Sequence, residues 1–279
     1  MFNFINTFYY NKKRDRIIPV LKTVPQRVWD RIRFEMAGYN IYLSENEKKF
    51  ANLRNKHAGK RCFIIGNGPS LRIEDLDKLK AEITFAANKI YLAFDKTNWR
   101  PTYYAVTDGL VAKQNYLEIE NLSGFTKFFP CKAKTSWDTP FSDAIYFRYI
   151  YYANRYPKPP GFGLNSLHKI YAGRTVLYAF IQICCFMGIR EIYLLGVDFN
   201  FSEPSKKKGR ILISEGESNH FHPNYRNPGE KWAEPKLHLQ KKAFEEAGQS
   251  VEKMGGRVFN ATRGGKLEVF PRVNFNELF

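Results

Sequence analysis

The chain has 279 residues, 44% of them apolar and 25% charged. That composition excludes intrinsic disorder, and the length allows one large domain or two small ones. A chain this long buries a full core without disulfides or structural metals. Its 44 Lys and Arg against 27 Asp and Glu give a net charge of +17, and 16% of its residues are aromatic. Both features point to a partner carrying phosphate or carboxylate groups: a nucleotide, an anionic glycan, a membrane surface or nucleic acid. No recognised nucleic-acid-binding module is present, so nucleic acid is not an expected partner.

The four cysteines are Cys62, Cys131, Cys184 and Cys185. None stands in a Cys-x-x-Cys pair, which argues against a zinc site or a disulfide scaffold and favours a reducing compartment. The segment Met1–Arg16 has no apolar central region, so no secretory leader is expected. The longest nearly uncharged apolar stretch, Thr175–Ile189, is too short to span a bilayer and reads as a buried helix. The expected location is the cytoplasm, at the inner face of the membrane if the N-terminal segment docks there.

Residues 1–58 read as a basic, aromatic, partly helical N-terminal extension. The first sixty residues hold 13 Lys and Arg against 5 Asp and Glu. Phe2, Phe4, Ile5, Phe8, Tyr9 and Tyr10 precede Lys12, Lys13 and Arg14, the pattern of an interfacial membrane anchor. The same residues suit a flexible terminus followed by a helix, about Gln26 to Met36, that packs Val28, Ile32 and Met36 on the body. Peripheral membrane contact through residues 1–33 is thus one of two readings.

Residues 59–279 read as a single α/β domain. Cys62–Ile65 is a short apolar run followed by Gly66-Asn67-Gly68-Pro69-Ser70, then Leu71, Leu76 and Leu79 at roughly helical spacing. Ile83–Ala87 and Tyr103–Thr107 follow as strands, with shorter ones at Lys127–Phe129 and Ala144–Phe147. A long helix, Thr175–Met187, leads to a strand at Ile192–Gly196. A charged helix, about Pro235–Lys253, leads to another at Val258–Asn260. Buried strands alternating with helices predict a Rossmann-like, mostly parallel sheet flanked by helices. Between about 200 and 232 the sequence is polar, with Lys206-Lys207-Lys208-Gly209-Arg210 and Asn219-His220-Phe221-His222. It reads either as a long lid loop over a ligand or as a solvated basic loop.

Ligands of open α/β sheets bind at the carboxyl ends of the strands. Gly66 and Gly68 allow close approach there, and Ser70 is placed to cap the following helix, whose amides favour a phosphate; an ordinary tight turn fits the same residues. Asn88, Asp108, Asp198, Asn200 and Asn260 follow other strands, suited to bonding a ribose, base or sugar or to stabilising turns as Asx residues. Asp108 and Asp198 do not form an Asp-x-Asp pair, so a magnesium site is permitted but not indicated. His220 and His222 sit one residue apart without a third metal ligand. A histidine is also the natural general base for a hydroxyl acceptor. His57, His168 and His238 lack a supporting constellation.

The stretch Phe63–Leu71 resembles the opening strand and turn of the bacterial sialyltransferases of glycosyltransferase family 42. Thr175–Phe199, ending Gly188-Ile189-Arg190-Glu191-Ile192-Tyr193-Leu194-Leu195-Gly196-Val197-Asp198-Phe199, is similar to their central helix and strand. Asn219-His220-Phe221 resembles the segment that carries their proposed base. The same signatures occur in the MptE-like domain of motility accessory factors and an archaeal pterin pyrophosphokinase, which Phe259–Arg272 resembles more closely. The resemblance covers about residues 60–279.

That resemblance implies a glycosyltransferase-A variant of the Rossmann-like fold. It also implies a metal-independent inverting transfer from a CMP-activated acidic sugar to a glycan or lipid-linked glycan, in surface polysaccharide assembly, with no cofactor. His220 would be the base and Asn67 would lie near the donor phosphate. Asn88 matches an asparagine holding the nucleotide sugar. Asp108 stands for an asparagine that reads the donor. Thr175 and Val176 match a Thr-Ser pair and so lack one hydroxyl, and Asn200 replaces a tyrosine that assists phosphate departure. The competing expectations are an Mg-ATP-dependent pyrophosphokinase, with Asp108 and Asp198 as metal ligands, and a non-catalytic glycan- or membrane-associated assembly factor. A homo-oligomer is compatible with either.

Overall fold

The structure, a computed structural model, describes residues 24–151, 160–201, 205–208, 211–216 and 219–279. The aromatic–basic run Phe2–Arg14 lies outside these, as do Gly209 and Arg210 of the lysine-rich stretch.

In chain order the helices are α1 (24–38), α2 (Glu45–Ala51), α3 (Ile73–Lys78), α4 (Gly109–Gln114), α5 (Tyr116–Asn121), α6 (Lys132–Thr135), α7 (Val176–Phe186) and α8 (Leu237–Lys253). The strands are β1 (Arg61–Ile65), β2 (Ile83–Ala87), β3 (Tyr103–Ala105), β4 (Thr126–Pro130), β5 (Ile145–Phe147), β6 (Tyr149–Ile150), β7 (Ile170–Tyr171), β8 (Glu191–Leu195), β9 (Ser205–Lys208), β10 (Ile211–Ser214), β11 (Lys231–Ala233) and β12 (Arg257–Asn260). Seven of them form one parallel sheet in the order β12-β8-β1-β2-β3-β4-β5. The strand-and-helix alternation of the sequence therefore becomes a Rossmann-like sheet, as its continuous apolar strands require.

Each central strand is buried on both faces. Cys62 and Ile64 of β1 join a cluster with α7 and α8, while Phe63 and Ile65 face a second cluster containing Leu71, Leu76 and Leu79. Phe128 and Phe129 of β4 divide in the same way. Every residue of α7 is buried, which is why its sequence carries no polar stripe.

Residues 24–58 pack against this sheet. Phe34, Ala37, Phe50 and Leu53 are buried. Asn46 pairs with the outer strand β5 as a peptide group would: its Nδ2 donates to the Tyr146 carbonyl (2.8 Å) and its Oδ1 accepts from the Tyr146 amide (2.6 Å). The apolar stripe expected of α1 is not the buried one. Val28 and Ile32 face solvent, at 53% and 46% exposure, while Arg33, Phe34 and Ala37 turn inward. Arg33 tolerates burial because Glu47 and Asp30 both pair with it, and a sequence pattern that counts only apolar residues misses that solution.

His57 closes this region. Its Nε2 lies 2.7 Å from the Tyr103 hydroxyl. Burial, with Lys56 nearby, holds its pKa below the ordinary histidine value. The folded chain therefore prefers the neutral ring. The associated stability is present above the unfolded-state pKa and is lost as pH falls through the lowered folded one. The melting temperature is expected to fall on going from about pH 7 to pH 5, with a shallower slope in His57→Gln; parallel slopes would assign the effect to other groups.

Candidate functional site

β1 and β8 are neighbours, but the strands that follow β1 run to one side of the sheet while β12 lies on the other. Their carboxyl ends therefore flank a topological switch point, where the diverging connections leave a crevice. The two loops meet there. The Gly66 amide donates to the Leu195 carbonyl (2.7 Å), and the Gly68 amide to the Gly196 carbonyl (2.9 Å). Ser70 donates its hydroxyl to the Asp198 carboxylate at 2.7 Å and its amide at 3.3 Å.

These contacts change the roles of the glycine turn. A Cβ at Gly66 would overlap the Gly196 carbonyl oxygen, and one at Gly68 would collide with the Asp198 carboxylate. The glycines thus let two protein loops touch, and their amides are engaged by backbone rather than offered as a phosphate cradle. Ser70 does not cap α3, whose N-cap is Arg72 without a side-chain bond; the competing Asp198 carboxylate takes its hydroxyl. Gly66→Ala is expected to cost about 1–3 kcal/mol, the usual range for overpacking, read as a lowered melting temperature. Unchanged melting would show that the loops separate freely.

Around this junction lies a pocket of about 140 Å³ lined by Gly66, Asn67, Gly68, Asn88, Thr175, Asp198, Asn200 and His220, among others. It is continuous with a larger cleft of about 670 Å³, since Asn88, Thr175, Phe201, His220 and Tyr225 line both. Thr107, Asp108 and Gly109 line the larger part. Nine of the twelve residues expected from sequence line these two spaces. Pro69 and Ser70 sit in the β1 loop without lining either space. Asn260 is not brought to the cleft: it is wholly buried, its Nδ2 donating to the Leu267 carbonyl (2.8 Å) and its Oδ1 accepting from the Thr262 amide (3.0 Å).

The polar residues of the cleft are individually constrained. Asn67 donates its Nδ2 to the Ala87 carbonyl (2.9 Å). Asn88 is held in the left-handed region (φ 53°), which asparagine tolerates, and its carbonyl accepts from the Tyr104 hydroxyl. The Oδ1 atoms of both side chains are buried without a hydrogen bond among the described residues. Buried acceptors of this kind are costly, and both residues line the small pocket, where a ligand N–H or O–H would satisfy them. Thr175 caps α7 and Asp108 caps α4, through bonds from Leu177 and Leu110 amides. Phe199 also takes a left-handed backbone (φ 53°), strain of the kind held at ligand sites.

The expected lid is a structured element. β9, β10 and β11 form an antiparallel sheet, with Leu212 paired to Trp232 and both buried. These strands are too short, and too rich in lysine, to stand out from loop in the sequence. Three anchors fasten the lid region. The Phe221 amide donates to the Asn67 carbonyl (3.0 Å). Lys89 pairs with Glu230 at 2.7 Å, both largely buried. The Gln114 amide bonds both backbone groups of Lys231. His220 is therefore set directly beside the Asn67 turn. Its ring stacks on Tyr225 (3.8 Å between centroids, 4° between planes) and meets Phe201 edge-on. Arg226 covers Trp232 at 3.7 Å, and Trp232 stacks on Phe201. The His222 ring has a separate task, accepting from the Asn224 amide.

Six cationic side chains (Lys89, Lys132, Arg174, Arg226, Lys231 and Lys236) and three acidic ones (Asp108, Glu230 and Glu234) line the larger cleft. The excess of positive charge suits an anionic ligand. Burial raises the Tyr149 and Tyr151 hydroxyls well above the ordinary tyrosine range, so both act as neutral groups at the rim. Among the described residues no three His, Cys, Asp or Glu converge as a metal-ligand set, and no helix is long and apolar enough to cross a membrane. Lys89, Tyr225, Arg226, Glu230 and Trp232 escaped sequence reasoning. The one available signal was aromatic and charged residues interleaved around His220.

The family described as "6-hydroxymethylpterin diphosphokinase MptE-like" matches residues 40–204. Among solved structures, the MAf glycosyltransferase of Magnetospirillum magneticum AMB-1 is similar over 84% of this chain, at 16% identity and a TM-score of 0.46. The chain spans 39% of that protein's length. No curated protein matches significantly. The matched residues exceed half of the chain and contain β1, the glycine turn and β8, and on that match the chain belongs to the MptE-like family.

Proposed function

We propose that the cleft transfers a sugar, with inversion and without a metal, from a cytidine monophosphate-activated acidic donor to a hydroxyl of a glycan or lipid-linked glycan, as surface polysaccharide assembly requires. The observation that carries this reading is the position of His220 between the small switch-point pocket and the larger cleft. The nucleotide end of the donor occupies the small pocket, where Asn67 and Asn88 offer unsatisfied acceptors to its base or ribose. The acceptor enters through the larger cleft. His220 takes the acceptor hydroxyl proton as that oxygen bonds to the anomeric carbon. The bond from that carbon to the phosphate oxygen breaks, and its electron pair leaves with the nucleotide. The growing phosphate charge is met by the cationic side chains of the cleft, not by amides of the glycine turn. Tyr225 and Phe201 hold the imidazole plane, which supplies orientation.

The family description favours a second reading, diphosphate transfer from ATP. Phosphoryl transfer of that kind uses magnesium and carboxylates; Asp198 stands at the junction and Asp108 lines the larger cleft. The discriminating measurement is thermal stabilisation by CMP, CDP, UDP, GDP and ATP, each with and without magnesium, because a ligand selective for the folded state raises the melting temperature. Stabilisation by CMP in EDTA supports sugar transfer. Stabilisation by Mg-ATP alone reverses the assignment.

A further inference from the structure

Seven of the twelve large hydrophobic residues exposed among the described residues lie between 24 and 43. Monomeric soluble surfaces scatter such residues singly, and concentration marks a contact. Four of the seven belong to one helix. Val24, Val28 and Ile32 recur every fourth residue along α1 with Trp29 beside them, opposite the inward-facing Arg33, Phe34 and Ala37.

Beside that apolar face the same helix presents Arg27 and Arg31. With Lys132 of α6 and Arg148 they line a cavity of about 280 Å³ between α1 and α6. Arg148 is paired with Glu35, and Asp30, the acid of this cavity, with Arg33. Among the described residues, Arg27, Arg31 and Lys132 have no carboxylate within ion-pair distance. Burial and the neighbouring Arg27 hold the Lys132 ammonium below its ordinary pKa, the condition that a bound anion relieves. Lys132 and Tyr149 also line the large cleft, so this cavity adjoins the site described above.

We propose that α1 lies in the plane of an anionic bilayer, with Val24, Val28, Trp29 and Ile32 in the interface and a lipid headgroup phosphate in the cavity between α1 and α6. Charge selects this occupant. A second copy of the chain would bring Arg27 and Arg31 against their own kind, whereas an anionic leaflet complements them. A tryptophan on the apolar face, arginines at its flank and an aromatic–basic sequence leading into the helix are the composition of an interfacial helix. Docking in this orientation brings the bilayer to the side of the large cleft that Lys132 and Tyr149 line. The docking itself does not depend on sugar transfer and is read without turnover.

The test is cosedimentation of the full chain with vesicles of phosphatidylcholine alone or mixed with phosphatidylserine. Binding to the mixed vesicles that weakens with salt is expected. The triple variant Val28→Ser/Trp29→Ser/Ile32→Ser, which alters exposed positions and so keeps its melting temperature, should bind at least about tenfold more weakly. Arg27→Glu/Arg31→Glu should lose preference for the anionic vesicles by a comparable factor. Undiminished binding by both variants overturns the proposal. So does a wild-type dimer that the triple variant converts to monomer, since the face would then belong to a second copy.

Discussion

Replacing His220 by alanine is expected to slow sugar transfer about 10²–10⁴-fold, the range for removal of a general base, while nucleotide binding persists. The ring lines both spaces of the cleft, and its neighbour Phe221 is tied to the Asn67 carbonyl. On the proposed reading, loss of the imidazole leaves the contacts of the donor with Asn67 and Asn88 in place. The effect should fall on kcat, with CMP-induced stabilisation retained. A glutamine at the same position can fill the space beside Tyr225 but accepts no proton near neutral pH, so it should not restore turnover. Full turnover in either variant removes His220 from the mechanism. Loss of CMP stabilisation would recast the residue as a packing element of the lid.

The second large effect concerns Lys89 and Glu230. Lys89→Met leaves the Glu230 carboxylate largely buried opposite a thioether. Breaking a buried pair on one side costs on the order of 3–5 kcal/mol. The bridge joins the segment after β2 to the lid, so the strain has a local outlet: β10 and β11 can lift from the cleft. Proteolysis within these strands should accelerate sharply, with CMP slowing it by favouring the closed form. The double variant Lys89→Met/Glu230→Met, which leaves no charge stranded, should recover most of the lost protection. Equal lability of single and double variants would mean that the bridge is solvated and contributes little.

The parallel sheet was legible because its signal is local. The apolar run Ile83–Ala87 coincides with β2, and the Thr175–Met187 run differs from α7 by one residue at each end. The switch point is legible as well, because the residues that follow successive parallel strands gather at one edge of the sheet. What the sequence concealed was pairing at a distance. Ser70 had the profile of a helix cap, but Asp198, 128 residues away, took its hydroxyl. Asn260 resembled Asn88 in placement, yet the connection after β12 folds back and uses both ends of its amide. Val28 and Ile32 looked like a core stripe because nothing local shows that Arg33 will find Glu47. The lid strands were hidden by lysines whose register only their partners determine.

The amide of Asn46 against Tyr146 bears on how the chain can be divided. Outer strands of open sheets invite further strands, and natural proteins blunt them. Here one side chain reproduces the donor and acceptor of a missing neighbour and terminates the ladder at β5. A fragment starting at residue 59 would keep the whole cleft but uncover this border, along with the ground that Phe34 and Phe50 occupy. Such a fragment should self-associate through β5, so the segment ahead of the sheet serves as a built-in guard against edgewise polymerisation.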